Sequence, residues 1–335
     1  MVFFLIKRIL SALVLVLVVS LVSFLLIKAP PGDYASTVKA SAISRGGMSE
    51  ADAEQLAQAT RVRLGLDRPV IVQYARWIGG IVLHGDFGPS FQQNASAGEV
   101  IGRRLWYTLG IALCCHILAT VIGVSLGIFA AVNQHRIGDT AATVFAFLGM
   151  TIPRFFLALV ILYVLAFVVR SPAIGSLFSA EYVLAPWSFG RFLDLVHHVW
   201  PVIFIAAFGG LAYNLRVMRS NLLDVLRQPF IEAARAKGLP ERTVILKHAV
   251  PNAIHPLVMY QGVILPYMLS GELEAAIILS IPTIGPLMYS SLISHDTYVT
   301  ATIFLILSVL LVVGNLMADI VLGLIDPRVR EGAHA

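Results

Sequence analysis

The run from Ile9 to Ile27 carries no charged residue and is long enough to cross a lipid bilayer as a helix. Hydrocarbon offers no partner to a backbone N–H or C=O, so a spanning segment of roughly 20 apolar residues must satisfy its own hydrogen bonds. Comparable windows follow at Leu105 to Val132, Ala141 to Val169 with one interruption at Arg154, Val199 to Leu215, Ala253 to about Gly271, and Tyr298 to Ala318. The chain is therefore expected to be all-α, a polytopic membrane protein with six transmembrane helices. Composition agrees. Of the 335 residues 58% are hydrophobic and 13% charged, with a mean hydropathy of +0.84, which excludes a soluble enzyme, a disordered chain and a collagen-like one. Lys7-Arg8 ahead of the first window is also how a secretory signal starts, but no small-x-small site closes it, so the segment reads as an uncleaved span. Two cysteines exclude a disulfide-built scaffold. Cys114 and Cys115 are adjacent in an apolar run and read as small packed residues, with no metal or redox partners nearby.

A further apolar stretch, Ala275 to Ile284, is too short to cross and contains Pro282, so it reads as a re-entrant or interfacial segment. That choice fixes parity. With six crossings and the N-terminus inside, His135-Arg136, the Arg216 to Lys247 segment and Arg328 and Arg330 all face the cytoplasm, as the positive-inside rule asks. The same rule accounts for the net charge of +5 without nucleic acid. Arg103-Arg104 go against the bias, but the loop from Ala29 to Arg104 is too long for the rule to bind. The expected organisation is a first span over 1–28, an extracytoplasmic loop or cap over 29–104, a core of five spans over 105–325 and a cytoplasmic tail over 326–335.

Inside the cap, Ser49-Glu50-Ala51-Asp52-Ala53-Glu54 predicts a helix start with acids in its first turn, continued by Leu56, Ala59, Val62 and Leu64 and stopped at Gly65. Pro69 opens a second helix, with Val70, Val72, Tyr74 and Trp77 among its apolar or aromatic residues. Trp77, Trp106, Trp187 and Trp200 fall near the proposed outer membrane boundaries, where either interfacial anchoring or plain packing explains them.

The one long polar inward segment lies between the fourth and fifth spans, at about 219–252. Pro229 starts a short helix, Ala-rich residues propagate it, Gly238 supplies a left-handed turn, and Pro240 opens the next. A helix-turn-helix that reads DNA has this outline, but a segment tethered so closely at both ends to a membrane has no way to straddle a duplex. A solvated basic loop is the plain alternative.

Glu232-Ala233-Ala234, three residues and then Gly238, a Val/Ile-Leu stretch and Pro251-Asn252-Ala253 resemble the EAA loop of importer permeases of the ATP-binding-cassette class. The likeness continues in Gly65-Leu66-Asp67 with Pro69, in Gly85-Asp86-Phe87-Gly88-Pro89-Ser90-Phe91, in Ile152-Pro153 with Phe155, and in Asp326-Pro327-Arg328-Val329-Arg330. These landmarks are similar to those of the B-type permease subunit of the dipeptide/oligopeptide/nickel branch, over essentially the whole chain. The resemblance implies the type I importer permease fold in a bacterial inner membrane, with both termini cytoplasmic. It implies as partners a second, C-type permease subunit, two cassette ATPase subunits and an extracytoplasmic solute-binding protein, with surrounding lipid and no nucleic acid. It also implies that Glu232 makes a polar orienting contact to the ATPase, with Ala233, Ala234, Gly238, Leu239 and Pro240 shaping the docking element. ATP and Mg would be held by the partner ATPases, because no phosphate-cradling G-x-x-x-x-G-K-[ST] loop occurs in this chain. Where the branch carries an acid and a Trp-Pro pair, this sequence has Gly271-Glu272-Leu273-Glu274 and then Ile281-Pro282. Together with Ala185-Pro186-Trp187-Ser188 this looks like a subgroup associated with oligosaccharide import, so peptides and oligosaccharides both stay open.

Charges inside the spans are costly, about 2.5 to 3.5 kcal/mol each on insertion scales. At ~1.5 Å per residue, Arg154 and Glu272 fall in the outer half of their helices. With Pro153, Phe155 and Glu274 they are expected to belong to the translocation pathway or its gate, Arg154 pairing with an acid or meeting polar groups of the solute. The plain alternatives are a structural ion pair, or acids emerging at the outer interface. His197-His198 sit at a membrane boundary and read as interfacial rather than as ligands, and no catalytic or metal constellation is visible. An ion-coupled secondary transporter is the competing class, but it calls for inverted repeats or paired broken helices that this sequence does not display.

Overall fold

In chain order the helices are α1 (Val2–Lys28), α2 (Tyr34–Gly46), α3 (Glu50–Leu64), α4 (Val70–His84), α5 (Ala97–Val132), α6 (Ile137–Thr151) and α7 (Arg154–Tyr163), which runs into a π-helical turn at Val164–Val169. They continue as α8 (Phe189–Leu226), α9 (Pro229–Ala236), α10 (Glu241–Thr243), a second π-helical turn at Val244–Ala249, α11 (Val250–Ala253), α12 (His255–Ile278), α13 (Ile284–Ile293) and α14 (Thr297–Ile325). This computed structural model describes residues 2–93 and 95–325, so the Asp326 to Arg330 motif and the expected tail over 326–335 lie outside the described residues. Among the described residues there is no strand, only an isolated bridge pairing Pro89 with Ser96.

Four helices are long and apolar enough to cross a membrane: Ile9–Lys28, Ala97–Val132, Phe189–Leu226 and Thr297–Leu316. The window expected as one span from Ala141 to Val169 is instead two helices bent by 97° at Ile152-Pro153. Proline disfavours helical backbone in the residue before it, and Ile152 is extended (φ −70°, ψ 121°). Length and composition alone thus identify four spans among the described residues, or five if the bent pair is one. The expected fifth window runs from the end of α11 into α12. The short stretch at Ala275 to Ile284 divides between the end of α12, a turn, and the start of α13. The first residues of the expected polar segment, from Arg219, belong to α8, which stays helical to Leu226.

The chain divides into two compact units, one holding the chain up to Trp106 with Pro286–Val313, the other Tyr107–Gly285 and the chain from Gly314. In the first, α1 packs its Phe24 against Tyr74 and Trp77 of α4, with ring centroids 5.6 and 5.5 Å apart. Ser20 and the Tyr74 hydroxyl share a 2.9 Å hydrogen bond. Trp77 is therefore buried, its Nε1 donating to the Phe87 carbonyl at 3.2 Å, whereas Trp106 and Trp187 are exposed. The α3 helix has the predicted Ser49 cap, acidic first turn and left-handed Gly65 stop. Its buried face differs from the expected one: Ala53, Ala57 and Thr60 are covered, while Leu56 and Val62 face outward. Small residues let α3 lie close to α2, a helix that the apolar pattern did not announce.

The entry to α2 is fixed by Asp33. Its carboxylate caps Ser36 N–H (2.8 Å) and accepts both Arg61 Nε (2.7 Å) and Nη2 (3.2 Å). Farther on, the loop after α4 is organised by buried Asp296, whose Oδ2 accepts from Ser90 Oγ (2.7 Å) and from the N–H groups of Phe91 (3.0 Å) and Gln92 (3.2 Å). The Phe91 ring lies between Tyr34 and Tyr298, with centroids 5.2 and 5.3 Å away. This loop borders an open cavity of about 510 Å³ whose walls include Tyr34, Arg63 and Asp86.

The second unit is built around α8. A Cβ added to Gly123 of α5 would lie 2.7 Å from the Leu211 carbonyl oxygen and from Asn214 Cβ. One added to Gly127 would lie 2.7 Å from the Leu215 carbonyl oxygen and from Met218 Cβ. Gly149 of α6 approaches Ala212 in the same way, at 2.9 Å. Asn214 Nδ2 donates to the Ala119 carbonyl at 3.2 Å, adding a buried bond between α8 and α5. On the same helix, Arg191 covers the Phe178 and Trp187 rings, while Asp194 accepts Ser179 N–H at 2.8 Å and Oγ at 2.6 Å, which fastens the segment after α7.

Two outcomes are expected. Gly127→Val should lower stability in detergent by about 1–3 kcal/mol, read as a lower Tm, while Gly102→Ala, with nothing within 4 Å of the new carbon, stays neutral. Burial pushes the Asp33 carboxyl up, but the Arg61 guanidinium and the Ser36 bonds outweigh it and hold it at about 2, below its ordinary 3.8. The stabilisation is complete above that ordinary value and is lost as pH falls through about 2. Hydrogen-exchange protection of α2 should fall over that interval, and Asp33→Asn should abolish the dependence at a cost of about 1 kcal/mol near neutrality.

Candidate functional site: the helix, glycine, helix segment

Pro229 occupies the first turn of α9, where its missing N–H costs nothing. Glu232 falls in the same turn, favourable at the positive end of the helix dipole, and Arg235 in the last. The helix ends as a Schellman turn. Gly238 adopts φ +76°, its N–H donates to the Arg235 carbonyl at 2.9 Å, and Leu239 N–H reaches back to the Ala234 carbonyl at 3.4 Å. Pro240 then caps α10 with extended backbone (φ −58°, ψ 138°).

One face of α9 is buried and the other is not. Ile231 is fully covered and Ala234 nearly so, packed with Met218 and Leu222 of α8 and with Val244, Ala249, Ala253 and Leu257. Glu232, Ala233, Gly238, Leu239 and Pro240 are exposed. Ala234, expected to shape the outward contact, thus seats the helix on the chain's own core, and Ala233 is the small residue facing out. Sequence reasoning also passed over three features of this surface. Phe230 and Leu246 are exposed, and an aromatic beside Pro229 in a polar stretch was the available signal for the first. The third is a fork between Arg235 and Glu241, Nε to Oε2 at 3.1 Å and Nη2 to Oε1 at 2.6 Å, which ties the two helices across Gly238. Arg235 holds the Glu241 carboxyl below its ordinary value. Asn221 Nδ2 on α8 donates to the Ala253 carbonyl at 3.3 Å, fastening the far end of the segment.

The expected pathway residues are not one cluster. Pro153 makes the 97° corner, Arg154 is half-buried with its guanidinium over Gly209 of α8, and Phe155 is exposed. Among the described residues no ion pair joins Arg154 to Glu272 or Glu274, so the paired form of the expected gate is not what this structure holds. Glu272 is 1% exposed, with the Thr283 side chain as its polar neighbour. Glu274 is exposed. His198 is buried and its Nδ1 lies 2.7 Å from the Asp194 carbonyl oxygen, a packed histidine rather than an interfacial one.

Residues 123–331 match the family model described as "Binding-protein-dependent transport system inner membrane component", and residues 1–112 match the model for the N-terminal part of such components. The oligopeptide transport system permease protein AppB of Bacillus subtilis (strain 168) is 34% identical over 327 residues, covering 97% of this chain and 98% of that one. A Brucella abortus (strain 2308) relative with a provisional peptide-transport permease name is 32% identical over 329 residues, with 97% and 98% covered. Among solved structures, an inward-facing MetNI methionine ABC transporter chain superposes with a TM-score of 0.53 at 18% identity, over 68% of this chain and 96% of that one, a likeness of fold.

The Arg235–Glu241 fork is exposed, so it sets an angle more than it adds stability. Arg235→Gln should speed tryptic cleavage after Lys237 or Arg242 by roughly twofold to fivefold, and Arg235→Lys, which keeps a cation beside Glu241, should retain most of the resistance.

Proposed function

The chain belongs to the family of binding-protein-dependent transport system inner membrane components and is a permease subunit of an ABC importer; we propose that it carries peptides and that the segment from Pro229 to Glu241 is where separate ATPases act on it. The observation that carries the second part is the two-faced α9, rooted in the chain's own core through Ile231 and Ala234 while it presents Glu232, Ala233 and Gly238 outward. A transmitted rigid-body motion needs such an element, stiff, exposed on one side and packed on the other. Peptides are favoured as solute because the relatives named above carry oligopeptide or peptide names. Oligosaccharides and ion-coupled secondary transport draw no support from them.

The remaining parts follow from that reading. A C-type permease partner completes the pathway, two cassette ATPases holding ATP and Mg dock at Glu232 to Pro240, and a loaded solute-binding protein docks on the extracytoplasmic side. The basic segment around α9 faces the cytoplasm, as do both termini. ATP binding closes the ATPases, α9 follows, and the pathway opens outward; hydrolysis resets it. The chain contributes conformational work, its direction set by the different affinities of its partners for the two states. Arg154, at the Pro153 corner beside Phe155, is the pathway residue we assign to polar groups of the solute, with Glu272 and Glu274 as candidates in another state of the cycle.

The test is ATPase activity of the reconstituted assembly with binding protein preloaded with peptides or with oligosaccharides. Peptide-loaded binding protein should stimulate hydrolysis. Gly238→Pro, which cannot adopt φ +76° and lacks the N–H that closes α9, should abolish stimulation while the complex stays intact. No co-purifying ATPase and no ATP dependence of uptake would defeat the reading.

A further inference from the structure

Asp139 stands in the first turn of α6, and its side chain is only 6% exposed. Arg219 of α8 takes both of its oxygens, Nε to Oδ1 at 2.6 Å and Nη2 to Oδ2 at 2.7 Å. The His135 N–H adds a third bond, to Oδ2 at 3.0 Å. A buried carboxylate paired with a partly exposed guanidinium is an inefficient way to hold helices together, since an apolar pair of similar volume commonly does as well or better. A fork-to-carboxylate pair does supply a fixed register and orientation. Asp139 meets Arg219, and higher up Gly149 meets Ala212, where an added Cβ would lie 2.9 Å from its Cβ. The α6 helix is thereby fastened to α8 at two levels. Just past the upper one comes the 97° corner and Arg154, whose guanidinium lies over Gly209, again on α8. At the other end of α8 only Arg227 and Gln228 separate it from α9.

We propose that Asp139 and Arg219 are positioning residues that lock α6 to α8, so that a displacement of α9 carries the Pro153–Arg154 corner with it as one body. The inference rests on the reading of α9 as the ATPase contact. The pair touches neither solute nor nucleotide, and its loss lets α8 shift without moving the corner by the same amount.

The experiment measures ATP hydrolysis and peptide uptake in the same proteoliposomes, using the complete importer with peptide-loaded binding protein. Asp139→Asn should keep stimulated hydrolysis while peptide moved per ATP falls about tenfold, and Asp139→Arg combined with Arg219→Asp should restore most of that ratio. Because a lone substitution can leave a buried charge and weaken the fold, Asp139→Leu with Arg219→Met serves as the second variant; it should assemble normally and remain uncoupled. A wild-type ratio in both Asp139→Asn and the Leu/Met pair overturns the proposal. So does a parallel loss of hydrolysis and uptake that the reversed pair fails to rescue. Absence of ATP-dependent uptake in the wild type is a different result, which removes the importer reading and this proposal with it.

Discussion

Helices that share a bilayer gain little by hiding apolar side chains from one another, because the lipid tails around them are equally apolar. What remains is close packing and hydrogen bonding, and both depend on how near two backbones can come. Gly123 and Gly127 of α5 and Gly149 of α6 each meet α8 at a distance that leaves no room for a methyl group. The bond from Asn214 to the Ala119 carbonyl forms within this contact, as does the fork between Asp139 and Arg219 on the α6 side. Replace these glycines with larger residues and the polar contacts lose their reach together.

The segment after α8 follows a different physics because water is near. Its short helices are held by a conventional buried cluster around Ile231, and the angle between them is set by one glycine with positive φ and one exposed ion pair. Neither would hold an isolated eight-residue helix in shape. Their effect comes from being mounted on the end of a helix already fixed by close packing, so a weak local interaction sets the angle of a firmly seated segment.

Much of this was legible in the sequence where local chemistry decides. Ser49, Gly65, Pro69, Pro229 and Gly238 marked helix starts and stops that the structure reproduces. The α12 helix takes in most of the window read as the fifth span. Faces were harder. In water an apolar stripe points to the core, but within a membrane both faces of a helix are apolar and the pattern carries no direction. Even in α3 the stripe is not the buried face, because close packing covers Ala53, Ala57 and Thr60. Pro153 was noticed as part of a motif, yet a proline inside an apolar run does not announce a 97° turn. Pairs remote in sequence, Asp139 with Arg219 and Ser90 with Asp296, left no local trace at all. Nor did the burial of Glu272.

Asp296 shows what such a remote pair does once formed. A single oxygen receives the Ser90 hydroxyl and two consecutive backbone N–H groups, and the Phe91 ring is held between two tyrosines at the same place. Three donors on one oxygen tie a side chain and two consecutive backbone groups to a single buried carboxylate, so loss of that carboxylate frees all three. The loop from Ser90 to Gln92 is therefore held at one point. Its order is a property of one side chain more than two hundred residues downstream in Ser90's case, and not of its own sequence.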